Sequence, residues 1–129
     1  MIEQALLSLL LNDDDLKSLV GGRIYYNCAP QDVEIPYVVL FKVAGPREHS
    51  HDGPSHLAHP RIQFSVFADT YMAAKEVTQC IQNVLDGFRG ESDGVQIQSC
   101  LYINEVDMYE PDIGLHHVAS DYELFHEEV

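Results

Sequence analysis

Histidine is the residue type in this chain whose number and spacing first suggest chemistry. Seven occur in 129 residues, and four of them fall within residues 44–60, AGPREHSHDGPSHLAHP. His49 and His51 are two apart, so on an extended backbone they would point to one face and could share a metal. Asp52, His56 and His59 stand ready as further ligands. His116 and His117 are neighbours, which in a strand sends them to opposite faces.

The metal reading weakens on inspection of the spacing. HSHDG begins like an HxHxD metallohydrolase pattern, yet Asp52 falls one position early and Gly53 holds the required place. Ser55 and His56 have no G-x-S-x-G elbow or glycine-lined oxyanion turn nearby. Cys28 would need a base delivered by the fold. Gly21-Gly22 has no Gly-Lys-Ser/Thr continuation, so neither a phosphate-binding loop nor a dinucleotide fingerprint is present. The acids Asp13 to Asp15 and Glu127-Glu128 read as helix caps and a solvated tail. The residues thus assign no catalytic site, no metal and no cofactor, and a metal-dependent hydrolase built on the histidine loop is the minority alternative.

The elements that would position these residues centre on 61–88, RIQFSVFADTYMAAKEVTQCIQNVLDGF. Ile62, Phe64 and Val66 alternate with Arg61, Gln63 and Ser65, the period of a half-buried strand. Asp69 is the expected N-cap of the helix that follows. Ala73, Val77, Cys80, Ile81, Val84 and Phe88 form its apolar stripe, with Lys75, Glu76, Gln79, Gln82 and Asn83 on the solvated side. Gly87 is the expected stop. Upstream, IEQALLSLLL at 2–11 is helical, with Ile2, Ala5, Leu6, Leu9 and Leu10 in a stripe. Asn12 to Asp15 cap a second short helical turn carrying Leu16, Leu19 and Val20, which Gly21-Gly22 ends.

RIYYN at 23–27 and YVVLFKV at 37–43 read as strands, the latter opened by Pro36. Residues 44–60, with three prolines and two glycines, read as a long loop. Arg89 to Gly94 is a turn-rich link. VQIQSCLYI at 95–103 alternates, with Val95, Ile97, Leu101 and Ile103 expected on one face. YEPDIG at 109–114 is a turn, and LHHVASDYELF at 115–125 is the last strand. The expected architecture is one α+β domain over 1–129, an about five-stranded, mostly antiparallel sheet with helices packed on one face. If the strands at 61–68 and 95–103 are parallel neighbours, their helical crossover is right-handed.

Composition limits the partners. With 21 acidic against 7 basic side chains the net charge is −14. Such a surface repels phosphate backbones, which argues against specific or tight nucleic-acid binding. Three cysteines are too few and odd in number for a disulfide framework, and no apolar run is long enough to span a bilayer. These point to a reduced, cytoplasmic, soluble protein with no membrane partner.

Several segments in order, LVGGRIYYNCAP, EIPYVVLFKV, DGPSHLAHPRIQFSVFADTYMAAKEV, VLDGFRG and DMYEPDIGLHHVASDYEL, resemble tailed-phage tail completion proteins, also called tail terminators or tail-to-head joining proteins. Leu19-Val20-Gly21 with Arg23-Ile24-Tyr25, Pro36 to Val39, Asp52-Gly53, Ala68 to Tyr71 and Tyr109-Glu110-Pro111 carry the likeness. The resemblance implies a structural virion protein at the tail–head junction, assembled in a bacterial host. It implies a ring, typically hexameric, that contacts the tail tube protein and the head–tail connector while DNA passes through. It supplies no catalytic residues.

A ring of one subunit needs two different contact patches. The residues offered for them are Arg47, His49, Asp52 and Leu57 in the 44–60 loop. At the final turn they are Met108, Tyr109, Ile113 and Leu115, which are more apolar than a solvated turn requires and otherwise would pack over the end of the core. A third reading, an acidic adaptor that binds a basic partner, follows from charge alone.

Overall fold

In the computed structural model, the central strand and helix form as their periodicities dictate: β5 spans Arg61–Ala68 and α3 spans Tyr71–Leu85. The structure describes residues 1–44, 47–50 and 53–128, with side chains at 1–43 and 58–127. On β5, Ile62, Phe64, Val66 and Ala68 are fully buried. Phe64 meets Tyr122 edge to face, with centroids 5.5 Å apart. Each such fully buried large side chain contributes about 1.5–3 kcal/mol by leaving water.

Helix α3 starts one residue later than the sequence implies. Thr70, not Asp69, is the N-cap, and its hydroxyl accepts the Ala73 amide at 3.1 Å. The buried stripe is correspondingly turned to Ala74, Val77, Thr78, Ile81 and Leu85, leaving Ala73, Cys80, Val84 and Phe88 at its partly buried margin. Gly87 follows the helix with φ +83°, a left-handed conformation that L side chains resist. Its amide donates to Cys100 O at 2.8 Å, tying the helix end to the sheet.

Helices α1 (Ile2–Leu11) and α2 (Asp14–Val20) complete the helical layer. Asp13 caps α2 by accepting the Leu16 amide at 2.9 Å. Ile2, Ala5, Leu6, Leu10, Leu16 and Val20 join the core beneath α3. Among the described residues no helix is long and apolar enough to cross a membrane.

The sheet is larger than five strands. It holds β1 (Ile24–Tyr26), β2 (Tyr37–Ala44), β3 (Arg47–Ser50), β4 (Gly53–Ala58), β5, β6 (Gly90–Ser92), β7 (Val95–Glu110) and β8 (Leu115–Glu128). The order is β1-β2-β5-β8-β4-β3, with β7 on the other edge of β8 and β6 beside β7. Every pairing is antiparallel except β1 with β2. β5 and β7 are not neighbours, because β8 lies between them and pairs with both. The class expected from the sequence, α+β with helices on one face, holds.

Three departures matter for function. Residues 44–60 are not a plain loop: β3 and β4 pair within them, and Leu57 and Ala58 extend β4 onto Glu127 and His126 of β8. Backbone pairing needs no apolar alternation, so this hairpin left no period-two signal. The link at 89–94 also pairs, as β6 against Val95–Ile97. Finally, β7 runs through Tyr109, and its register shifts between Ile97 and Ser99 and again between Tyr102 and Asn104. Each shift exchanges the faces of the residues beyond it. Cys100 therefore continues the buried row of Val95 and Ile97, while Leu101 and Ile103 are exposed.

Candidate interaction surface

Directly paired residues of neighbouring strands share a face of the sheet, so register sorts the two faces. The helix-facing set runs through Val38, Leu40, Phe64, Val118 and Leu124, all in one core cluster. The opposite face carries Val39, Phe41, Phe67, Ala119 and Phe125, and among the described residues no helix covers it. On β7 this face adds Leu101, Val106 and Met108, which are 48%, 44% and 38% exposed. An antiparallel sheet with one solvated face normally alternates apolar inward and polar outward. Here the outward set is apolar on β2, at Tyr37, Val39 and Phe41, and mixed on β5, β7 and β8.

Two acids of that open face have side-chain partners on it. Arg61 bonds Asp121 at 2.5 Å, and Gln63 donates to the same carboxylate at 2.8 Å. His59 pairs with Glu123 and stacks on Phe125, centroids 3.8 Å apart. A −14 chain repels its own copies over most of its surface. On this face the Arg61–Asp121 pair cancels part of that charge.

A groove of about 390 Å³ opens on the same face between β2 and β5. Tyr37, Phe41, Phe67 and His117 line it, with Gln63 and Ser65 between them. Its wall is the turn Asn27–Pro30 after β1. Asn27 adopts φ +65°, a left-handed conformation that asparagine tolerates, and its amide donates to Leu40 O at 3.0 Å. The turn thereby stands over the face and presents the exposed Cys28. His117 stacks on Phe67 with centroids 4.2 Å apart, and Phe67 stacks on Tyr37 at 5.0 Å. His117 Nδ1 lies 3.0 Å from Glu110 Oε1, while its buried Nε2 has no hydrogen-bond partner among the described residues.

His116 points to the other face, as adjacency in a strand requires, and packs edge-on against Tyr109 and Tyr71. The two neighbours therefore do not form a shared site. Asp52 and His51 lie outside the described residues. Arg47 and His49 fall in β3 and Leu57 in β4, on the far side of β8 from β7, so those expected contacts and the final turn occupy different parts of the sheet. Met108 and Tyr109 belong to β7 rather than to the turn, which is confined to residues 111–114. Tyr109 and Ile113 are 55% and 58% exposed, and Leu115 is half-buried. These residues do not close the core. The groove itself was not visible in the sequence, because its lining comes from the turn after β1 and three separate strands.

A family model described as "Tail completion protein gp17" matches residues 4–127. The chain belongs to the tail completion protein gp17 family. Tail completion proteins are structural virion components, and the expected virion location follows from that membership. In fold, this member is similar to a chain of the "Virion of native gene transfer agent (GTA) particle", with a TM-score of 0.84 at 17% identity. The superposition covers 98% of this chain and 94% of that one. No curated protein matches the sequence.

Proposed function

We propose that this tail completion protein assembles as a ring, a hexamer by resemblance to its family, that caps the head-proximal end of a phage tail tube. In that position it contacts the tail tube protein and itself, presents a surface to the head–tail connector, and lets DNA pass without holding it. It acts by assembly rather than catalysis. The observation that carries this reading is family membership over residues 4–127, together with exposed apolar residues on the sheet face opposite the helices. Leu101, Val106 and Met108 on that face, and Tyr109, Ile113 and Leu115 at the end of the β7–β8 hairpin, are the contact residues we assign. Arg47, His49 and Leu57, in β3 and β4, together with Asp52, supply a second contact.

The test is to add purified protein to polymerising tail tubes and image them by negative stain. The expected result is arrest of elongation, with ring-shaped density at one tube end. Unchanged tube lengths with bare ends would reject the capping role.

A further inference from the structure

We propose that the open margin of β7 in one copy pairs antiparallel with the open margin of β2 in the next, with Lys42 opposite Asp107. The inference rests on the ring reading and names the joint that would build the ring.

Backbone direction shows where each margin is open. On β2, Val38 N donates to Arg23 O and Leu40 O accepts from Asn27 N, so the even residues turn their peptide groups away from β5. Lys42 lies past the end of β1, turns the same way, and has no backbone partner on that side among the described residues. On β8, Leu124 N donates to Pro60 O, so even residues serve the β5 side and odd residues serve β7. Asp121, Ala119 and His117 stand opposite Asn104, Val106 and Met108. Glu105, Asp107 and Tyr109 therefore turn their backbone N–H and C=O groups outward.

The chain covers the first half of that margin itself. β6 pairs with Val95–Ile97, Gly87 N donates to Cys100 O, and the Asp86 carboxylate accepts from Tyr102 N. Among the described residues nothing pairs with the backbone of Glu105, Asp107 or Tyr109. A row of unpaired peptide groups is completed by another strand.

Direction and face select which strand. Each step along β2-β5-β8-β7 is antiparallel, so β2 and β7 run in opposite senses. The head-to-tail operation of a ring sets the next copy's β2 beside β7, antiparallel and with its helices on the same side. Lys42 pairs with Ile62 and Asp107 with Val118, both of the helix-facing core, so the two side chains meet on one face.

Charge agrees. Glu105 and Asp107 share the single cation Lys75, and Glu110 adds a third acid to this half of β7. Among the strands at the margins of the sheet, β2 is the one with a net positive charge. A hollow of about 330 Å³ keeps Lys42 accessible, and Glu3 is the one acid among its lining residues. Joining β7 to β7 would set the acids of both copies against each other, and joining β2 to β2 would oppose two lysines.

The stagger of the two open stretches also suits closure. Val38, Val66, Val118 and Asp107 form one row, so bringing Lys42 opposite Asp107 shifts the neighbour by four residues, about 14 Å. The lateral repeat is four strand spacings, about 19 Å. A ring takes up that shift by tilting its strands about 35° from its axis, the tilt of closed sheets.

Disulfide trapping tests the joint. Lys42→Cys and Asp107→Cys are placed in one chain with the exposed Cys28 removed, Cys28→Ser, and the assembled protein is mildly oxidised. Within one chain the two positions are about 20 Å apart, beyond disulfide reach, so every bond formed joins two copies. The expected product on a non-reducing gel is a ladder beyond the dimer. Chains with either new cysteine alone should stay uncrosslinked, and their mixture should give a dimer. Separately, Lys42→Glu should raise the concentration needed for assembly about tenfold while the thermal melt is unchanged, and added salt should narrow the difference. Rings of uncrosslinked chains, a dimer from the Asp107→Cys chain alone, or normal assembly of Lys42→Glu would overturn the strand joint and leave the ring reading standing. No rings and no capping with unmodified protein would overturn both.

Discussion

The Lys75 ammonium stands 3.1 Å from an Asp107 carboxylate oxygen, linking α3 to the edge strand β7. The same ammonium bonds Glu105, and the Tyr71 hydroxyl donates to Asp107 at 2.9 Å. One cation thus compensates two acids on the helix-facing side of β7. β6 pairs with β7 only over Val95–Ile97, and this clamp ties the later residues Glu105 and Asp107 to the helical layer.

Replacing that cation tests the clamp. Hydrogen bonding to Glu105, then to Asp107, raises the Lys75 pKa, and the Lys75 and Tyr71 hydrogen bonds lower that of Asp107. A lowered carboxylate pKa gives stability that is present above the unfolded carboxylate range and lost as pH falls through the folded value. A raised ammonium pKa gives stability present below its unfolded value of 10.5 and lost as pH rises beyond the folded one. The contribution is therefore full from about pH 5 to about pH 10. Lys75→Met should destabilise the protein by about 1 kcal/mol at pH 7, a modest value because the groups are partly solvent-screened. In thermal melts the gap from the unmodified chain should close as pH falls toward about 3, and a gap independent of pH would assign the loss to packing.

On the opposite side of the same strand, Val106 faces solvent and pairs with Ala119 on the open face. Val106→Asp removes little buried area, so the melting free energy should change by less than about 0.5 kcal/mol. It would place a further acid in the middle of that face, beside Asp121 of β8. Capping and ring formation, read by negative stain, should fail while the circular dichroism spectrum is unchanged. Normal assembly of a folded Val106→Asp chain would remove this face from the interface.

The helices and β5 were legible in the sequence because each buries one face, and burial writes its period into the residues. Ile62, Phe64 and Val66 alternate, and Ile2, Ala5, Leu6 and Leu10 recur at helical spacing. The hairpin of β3 and β4 was not legible, since it is held by backbone pairing at the margin of the sheet. The bulges in β7 were hidden for a related reason: a residue inserted in one strand shows only when its partner is known. Val95, Ile97, Leu101 and Ile103 looked like one face, and the register puts Leu101 on the other. The apolar excess of Met108, Tyr109 and Ile113 was visible at once, whereas the groove exists only after the turn behind β1 is brought together with β2, β5 and β8.

The β3–β4 hairpin offers the sharpest separation of assembly from stability. β3 pairs only with β4 among the described residues, and β4 reaches the rest of the sheet through Leu57 opposite Glu127 and Ala58 opposite His126. The core strands do not depend on it: Ile62 to Ala68 keep β2 on one side and β8 on the other without any contribution from residues 47–56. Replacing 47–56 by a short Gly-Ser link removes a local ladder and leaves the cluster around Phe64, Ile81 and Tyr122 intact. The shortened chain should unfold within about 1 kcal/mol of the full one, since loop-length changes cost only fractions of a kcal/mol per doubling. Arg47 and His49 go with the hairpin, and with them the second contact patch we propose for the ring. Tube capping should therefore be lost while the melt persists. Collapse of the cooperative melt would make the hairpin part of the folding unit, and undiminished capping would take Arg47 and His49 out of the interface.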